Sequence, residues 1–498
     1  MELKQALERL DALQKKLYAY QCASSSLYLD SVTVAPRDTA QGRGVALGIL
    51  AGERHKLFAD PEVGKLLDFL GAHGEELTLS QRRQVEELSR GWKQLSRIPA
   101  QEYMEYARLT NEASDVWHKA KEGNDFASFR PVLEQLVAFN RKFAGYYDPD
   151  KAPYDALLGE YERGVDTAYL DQFFAAVRDK LVPVIRAIGE REQPDDSFLR
   201  LEYHAQGQRE LAGYLMEVMG LDRAHCGLGE TEHPFTLGFN NRDVRITTNY
   251  DEHNLASSLY SVIHEGGHAR YELNIGDEVQ YTCLAGGVSM GVHESQSRFY
   301  ENLIGRSLPF IRAIFPRLQG IFPAQLGGVT AEQFHRAVNR AQPSLIRIEA
   351  DELTYCLHIM VRYEIEKQLI GGTLEVKDVP ETWNRLYKEY LGVDVPDDTH
   401  GCLQDSHWSG GSFGYFPSYA LGSAYGAQML RNMEREFDVW GPVGRGDLSQ
   451  VSAWLKDKVH RYGGLLTPAQ VVKNACGDFD PGVYTDYLVK KYSALYQL

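Results

Sequence analysis

The sequence predicts a mainly α fold with a small β-sheet. Three observations carry this. Apolar residues recur at three- and four-residue spacing along most of the chain, β-branched alternation is confined to short stretches, and no run of eighteen apolar residues occurs. At 498 residues, 43% hydrophobic and 24% charged, the chain can bury a sizeable core without staples. The formal charge is −16 and no basic run of five or more is present, which weighs against nucleic acid and anionic membrane surfaces as partners.

The first helix is predicted over 1–20, where Leu3, Leu7, Leu10, Leu13 and Leu17 are set among Lys, Glu, Arg and Asp. A signal peptide would need an unbroken apolar stretch instead. The same periodicity predicts helices over roughly 80–97, 101–121, 127–146, 166–190 and 206–219. The chain reads as one unit over 1–498, with a break between lobes expected at 191–197, around Pro194-Asp195-Asp196, and a weaker one at 148–153. Val244-Arg245-Ile246-Thr247-Thr248 is the clearest strand, and Glu278 to Cys283 is a second candidate. Helices follow over roughly 251–274, 291–305, 331–341, 344–370, 380–391, 419–436 and 450–461. Six scattered cysteines, Cys22, Cys226, Cys283, Cys356, Cys402 and Cys476, show no disulfide or metal spacing. They read as reduced thiols of a cytoplasmic protein.

The most informative stretch is His264-Glu265-Gly266-Gly267-His268, on a helix whose buried face is marked by Leu255, Leu259, Val262 and Ile263. Two histidines four apart lie one above the other, so both imidazoles reach one ion. At this composition a random match to the pattern is expected only about 0.06 times. Zinc is the expected metal, one ion per chain, with cobalt able to take its place. Glu265 stands beside the first ligand, where it can take a proton from a metal-activated water. Two glycines in mid-helix each cost about 1 kcal/mol, so something must approach this backbone closely.

The third ligand must come from another helix, because three successive turns of one helix cannot converge on one ion. The metzincin pattern is excluded by Tyr271 and Asn274. From the residues alone, Glu294, in Gly291-Val292-His293-Glu294-Ser295-Gln296, is no better placed than Glu278 or Glu301.

Six segments in order resemble the carboxypeptidase Taq family of thermostable zinc metallocarboxypeptidases. They are His233-Pro234-Phe235, Asp243-Val244-Arg245-Ile246-Thr247, the zinc helix, His293-Glu294-Ser295-Gln296, Ile346-Arg347-Ile348-Glu349-Ala350-Asp351, and Gly401-Cys402-Leu403-Gln404-Asp405-Ser406-His407-Trp408. One departure is Leu29 before Asp30, where the family usually has an aromatic residue. The resemblance implies a two-lobed helical zinc-peptidase fold with a deep groove, a small sheet beside the zinc helix, a homodimer, and removal of single residues from peptide C-termini. It also implies His264, His268 and Glu294 as zinc ligands, Glu265 as general base, Arg347 as anchor of the terminal carboxylate, and Tyr419 as an aid at the transition state.

The chemistry tests these roles residue by residue. A chain-end carboxylate calls for a planar cation with paired donors, and both Arg347 and Arg245 qualify. Against this, Arg347 could form an i,i+4 pair with Asp351, and Arg245 could pair with Asp243. Tyr419, Tyr415 and His407 can each donate to an oxyanion. Gln404 and His407 precede the turn Ser409-Gly410-Gly411, which can place polar groups over a cleft, and His233 can serve as a substrate contact or a loop histidine. Broad-specificity carboxypeptidase action on peptides with a free C-terminus is the leading expectation. A zinc aminopeptidase or oligoendopeptidase, and a non-catalytic peptide-binding scaffold, are the alternatives.

Overall fold

The computed structural model describes residues 2–498. α1 (Leu3–Thr33), α2 (Ala40–Ala59), α3 (Pro61–Ala72), α4 (Leu79–Arg97), α5 (Ala100–Gly123), α6 (Phe126–Tyr147), α7 (Pro153–Tyr161), α8 (Thr167–Gly189) and α9 (Ala205–Val218) come first. Strands β1 (Cys226–Glu230), β2 (Thr236–Asn240) and β3 (Asp243–Thr248) lead into α10 (Leu255–Leu273). α11 (Met290–Arg298), α12 (Leu308–Ile321), α13 (Pro323–Leu326), α14 (Ala331–Val338), α15 (Tyr355–Gly371), α16 (Val379–Leu391) and α17 (Pro417–Glu436) follow. α18 (Trp440–Val443), α19 (Ser449–Lys458), α20 (Pro468–Cys476) and α21 (Pro481–Tyr496) complete the fold. The mainly α expectation holds.

Local signals start many of these helices. Thr78 with Gln81, Thr330 with Gln333, and Thr467 with Gln470 form reciprocal caps at α4, α14 and α20. Asn254 caps α10 by accepting from the Ser257 N–H. Met1 lies outside the described residues, and the helix predicted from it runs on to Thr33. α2 was not predicted, and the reason is physical: none of its residues is buried, so it carries no apolar stripe to read.

Two predicted elements are corrected. Glu278 to Cys283 is not a strand: Asp277–Val279 makes one 3₁₀ turn and Tyr281 adopts a left-handed φ of 62°. The helix predicted over 344–370 begins only at Tyr355, because the Asp351 carboxylate accepts from the Leu353 and Thr354 N–H groups at its start.

The sheet has the order β1-β3-β2, with β1 parallel and β2 antiparallel to β3. Val244, Ile246, Thr247 and Thr248 of β3 are buried, and the strand packs on α10. β1 and β2 escape sequence reading because glycines interrupt their alternation at Gly227, Gly229 and Gly238.

The larger hydrophobic cluster includes residues on both sides of the 191–197 connection, among them Ile188 and Leu199. A smaller cluster joins α1, α3 and α4.

The closest packing lies around α11. A Cβ on Gly267 of α10 would stand 2.6 Å from the Gln296 carbonyl oxygen, and one on Gly422 of α17 would stand 2.7 Å from the Glu294 side chain. α11 is thus pressed between two glycines on opposite neighbours. Gly266 in turn faces Met219, whose sulfur would be 2.6 Å from a Cβ placed there. After Arg298 the helix continues over Phe299–Gly305 with the wider i→i+5 turn. Gly267→Ala meets backbone that cannot swing aside, so it is expected to cost about 1–3 kcal/mol. A lower urea midpoint at unchanged slope would register the loss.

Candidate metal centre and active site

His264 and His268 project from one face of α10, their ring centroids 5.0 Å apart. Glu294 reaches them from α11. Its Oε2 lies 3.8 Å from His264 Nε2 and 3.5 Å from His268 Nε2, and the three donor atoms lie within 4.8 Å of one another. Tetrahedral ligands at about 2.0–2.1 Å from an ion would be roughly 3.4 Å apart, so this donor set fits a metal of zinc's size. Of the open third-ligand choices, Glu294 is the carboxylate in this set.

The other ring nitrogens are occupied. His264 Nδ1 lies 2.8 Å from Glu301 Oε2. His268 Nδ1 is 2.6 Å from His293 Nδ1, and His293 Nε2 is 2.7 Å from Glu272 Oε1. A carboxylate can only accept, so Glu272 takes the His293 Nε2–H, and His293 Nδ1 takes the His268 Nδ1–H. Both His264 and His268 are left with a lone pair on Nε2 that a metal could take. Sequence reading missed His293 and Glu272 as orienting groups. It weighed Glu301 only as a ligand.

Charge is balanced inside this shell. Burial alone would push the Glu294 carboxyl up, but Arg298 and the two histidines outweigh it and hold it well below the usual range. Glu301 is likewise brought down to about 2, against burial, by Arg298, His264 and Arg306. Arg298 Nε donates to Glu294 Oε1 at 2.7 Å, and its guanidinium covers the Tyr355 ring at 4.2 Å. Burial pushes His268 down to about 4, which keeps its imidazole neutral. Burial also opposes a proton on His264, but Glu294 and Glu301 outweigh it, and the same pair favours a metal cation. Glu265, buried beside His264, is raised mainly by burial, and Thr236 Oγ1 of β2 donates to its Oε2 at 2.6 Å.

A second cluster adjoins the first. Arg347 is buried, not paired along a helix with Asp351: its Nε and Nη2 donate to Asp405 Oδ1 at 3.0 and 2.8 Å. Asp405 also binds Arg362 of α15, and the two arginines hold its carboxyl far below the usual range against burial. Gln404 Oε1 accepts from the Arg347 backbone N–H and from Arg362. Arg347 Nη1 has one long contact, 3.4 Å to the Tyr355 hydroxyl. Its Nη1–Nη2 edge therefore retains donors, and its guanidinium lies over the Tyr419 ring at 5.2 Å. His407 Nε2 is 3.4 Å from the Tyr419 hydroxyl, and Tyr415 and Tyr419 meet edge to face at 5.0 Å. The two clusters adjoin through side chains in contact, since Arg298, bound to Glu294, covers Tyr355, whose hydroxyl meets Arg347.

The remaining two predicted residues stand apart. Arg245 is bound bidentately by Asp243 and covers Phe239 at 5.4 Å. His233 is exposed on the connection between β1 and β2. Neither makes a hydrogen bond or ion pair with the histidine–carboxylate cluster among the described residues.

Two buried carboxyls brace the site on either side of α7: Glu162, which follows its last residue, and Glu366 of α15. Glu162 accepts from Ser289 Oγ at 2.9 Å and the Gly291 N–H at 2.8 Å, at the start of α11. Glu366 accepts from the Tyr154 hydroxyl, the Trp408 indole and the Gly414 N–H at 2.8–2.9 Å. Gly414, at φ 88°, rests directly on the α7 backbone, where a Cβ would be 3.0 Å from Leu157.

The family model for carboxypeptidase Taq (M32) metallopeptidases matches residues 9–492. The chain belongs to this family. It is 39% identical over 491 residues, 98% of both chains, to carboxypeptidase 1 of Bacillus subtilis (strain 168). It is 37% identical over 481 residues, 94% of each, to thermostable carboxypeptidase 1 of Thermus thermophilus. Among solved structures, the M32 carboxypeptidase of Deinococcus radiodurans R1 superimposes with a TM-score of 0.96 at 34% identity, covering 99% of this chain and 100% of that one. Membership in the M32 family makes this a metal-dependent carboxypeptidase. No helix among the described residues is long and apolar enough to cross a membrane.

Burial pushes Glu162 up to about 7 against its two donors. Between the ordinary carboxyl range and about pH 7, the native state thus keeps a proton that the unfolded chain has lost, and stability falls as pH rises. Compared with Glu162→Gln, the wild-type protein should lose up to about 3 kcal/mol between pH 5 and 8, with the difference flat above that window. Urea titrations of both proteins across this range measure it.

Proposed function

We propose that the protein is a zinc carboxypeptidase that removes single residues, with broad specificity, from peptides with a free C-terminus. The observation carrying this reading is the adjacency of a two-histidine, one-carboxylate donor set to a buried arginine with a free donor edge. His264, His268 and Glu294 would hold the ion. When bound, zinc supplies Lewis acidity, lowering the pKa of water at its open position to about 7 and polarising a carbonyl.

The chain's own residues do the rest. The free Nη1–Nη2 edge of Arg347 pairs with the terminal carboxylate, and Asp405 fixes the plane of that edge. Glu265 accepts a proton from the attacking water and returns it to the leaving amine, with Thr236 setting its orientation. The Tyr419 hydroxyl, backed by His407, donates to the oxygen that gains charge. Gln404 holds the Arg347 backbone, and we assign Arg245 and His233 to more distant contacts along the substrate. A homodimer of single-unit chains in the cytoplasm is part of the same reading, consistent with six unpaired cysteines. Cobalt would serve in place of zinc.

Amino acid release from an N-blocked peptide with a free C-terminus, beside its C-terminal amide, tests the reading. One-at-a-time release from the free acid alone, abolished by a chelator and restored by zinc, is expected. Equal cleavage of the amide would move the protein to an endopeptidase, and no cleavage with metal bound would leave a peptide-binding scaffold. Glu265→Gln should lower kcat by about 10²–10⁴ with metal binding intact. Arg347→Lys keeps a partner for Asp405 but loses the planar fork, so KM for the free acid should rise while the acid-over-amide preference shrinks.

A further inference from the structure

A cavity of about 560 Å³ opens between α1, α2 and the sheet, with Gly238 and Phe239 of β2 in its wall. At the near end of β2, Thr236 holds Glu265. Strand geometry sets about 3.3 Å per residue, so the wall begins two residues from the group that touches the general base. A peptide running along β2 would enter this cavity with residues that lie upstream of the scissile bond.

The lining has a distinctive charge. It contains Arg54 and His55 of α2 and no Asp or Glu, in a chain whose formal charge is −16. Arg54 donates to the neutral Gln21 amide at 2.8 Å and has no ion pair among the described residues. His55 stacks on Tyr103, with ring centroids 5.7 Å apart. The carboxylate whose charge reaches Cys283 on the opposite wall, Glu87, is already paired with Arg83 and Arg163. The remaining surface is mostly apolar, including Leu17, Tyr18 and Phe58. One uncommitted cation over an apolar floor suits an anionic side chain with a hydrocarbon stem.

We infer that this cavity is an upstream subsite that receives an acidic residue of the peptide substrate, recognised by Arg54. The inference rests on the peptidase reading above and deepens it. It assigns α2 the task of selecting substrates, in keeping with a helix that has no fully buried residue and touches the core only through Leu57 and Phe58 at its end.

N-blocked pentapeptides carrying Glu, Gln or Lys three residues before the scissile bond, alike elsewhere, test it in the zinc-loaded enzyme. At low salt, kcat/KM for the Glu peptide should exceed that for the Lys peptide by about fivefold, and added salt should shrink the ratio. Arg54→Ala should bring the ratio to near one, and Arg54→Glu should invert it. Gln21→Glu, which gives Arg54 a carboxylate of its own, should also reduce it. A wild-type ratio near one, or the same ratio in all variants, overturns the subsite. An N-blocked dipeptide that ends short of the cavity separates the two readings: if it too is not hydrolysed, the peptidase assignment fails instead.

Discussion

The site depends on how closely α11 lies between its two neighbours. Gly267 and Gly422 have no side chains, and α11 occupies the space those side chains would fill, with its backbone at Gly267 and the Glu294 side chain at Gly422. With α11 held off by even one methyl group, the Glu294 carboxylate would no longer sit within reach of both imidazoles. The same helix supplies the counter-charge, since Arg298 lies one turn beyond Glu294 and binds its other oxygen. Ligand, counter-ion and spacing are thus set by a single packing contact. The two glycines cost local helix stability, and the gain is three donor atoms held in place before any ion arrives.

From that contact outward, charged groups are linked in series, with the neutral Tyr355 between two arginines. Glu294 meets Arg298, Arg298 covers Tyr355, Tyr355 touches Arg347, and Arg347 shares Asp405 with Arg362. Buried charges are destabilising unless each is paired and hydrogen-bonded. Here the requirement makes the chain of contacts rigid, because moving one member strands the next. The histidine–carboxylate cluster and the Arg347 cluster are joined through this series, so the distance between them is fixed by side-chain geometry within the core. Under the proposed mechanism, that distance decides which peptide bond is presented to Glu265.

Much of this was legible in the sequence, and the illegible parts share a cause. His264 and His268 could be read because their relation is local to one helix. Glu294 could not be separated from Glu301 by residue type, since the choice turns on how two helices pack, and the two residues take neighbouring roles around His264. The mid-helix glycines did announce a close approach, but not which element makes it. The alternative to an anchoring role for Arg347 was a surface pair with Asp351; the carboxylate it binds, Asp405, is 58 positions away on another loop. α2, β1 and β2 were invisible for a related reason. Periodicity reports a buried face, and these elements either have no fully buried residue or break their pattern with glycine.

α7 acts as a measuring rod. Its first residues reach Glu366 through Tyr154, its middle carries Gly414 on bare backbone, and its end leads to Tyr161 against Tyr415 and Glu162 under α11. Adding or removing one residue would turn everything beyond that point by about 100° and shift it by about 1.5 Å. Tyr161 and Glu162 would then leave their partners while Tyr154 kept its own. The nine-residue length of this helix is therefore a coded dimension of the enzyme. Its sequence can drift at exposed positions, but its register cannot.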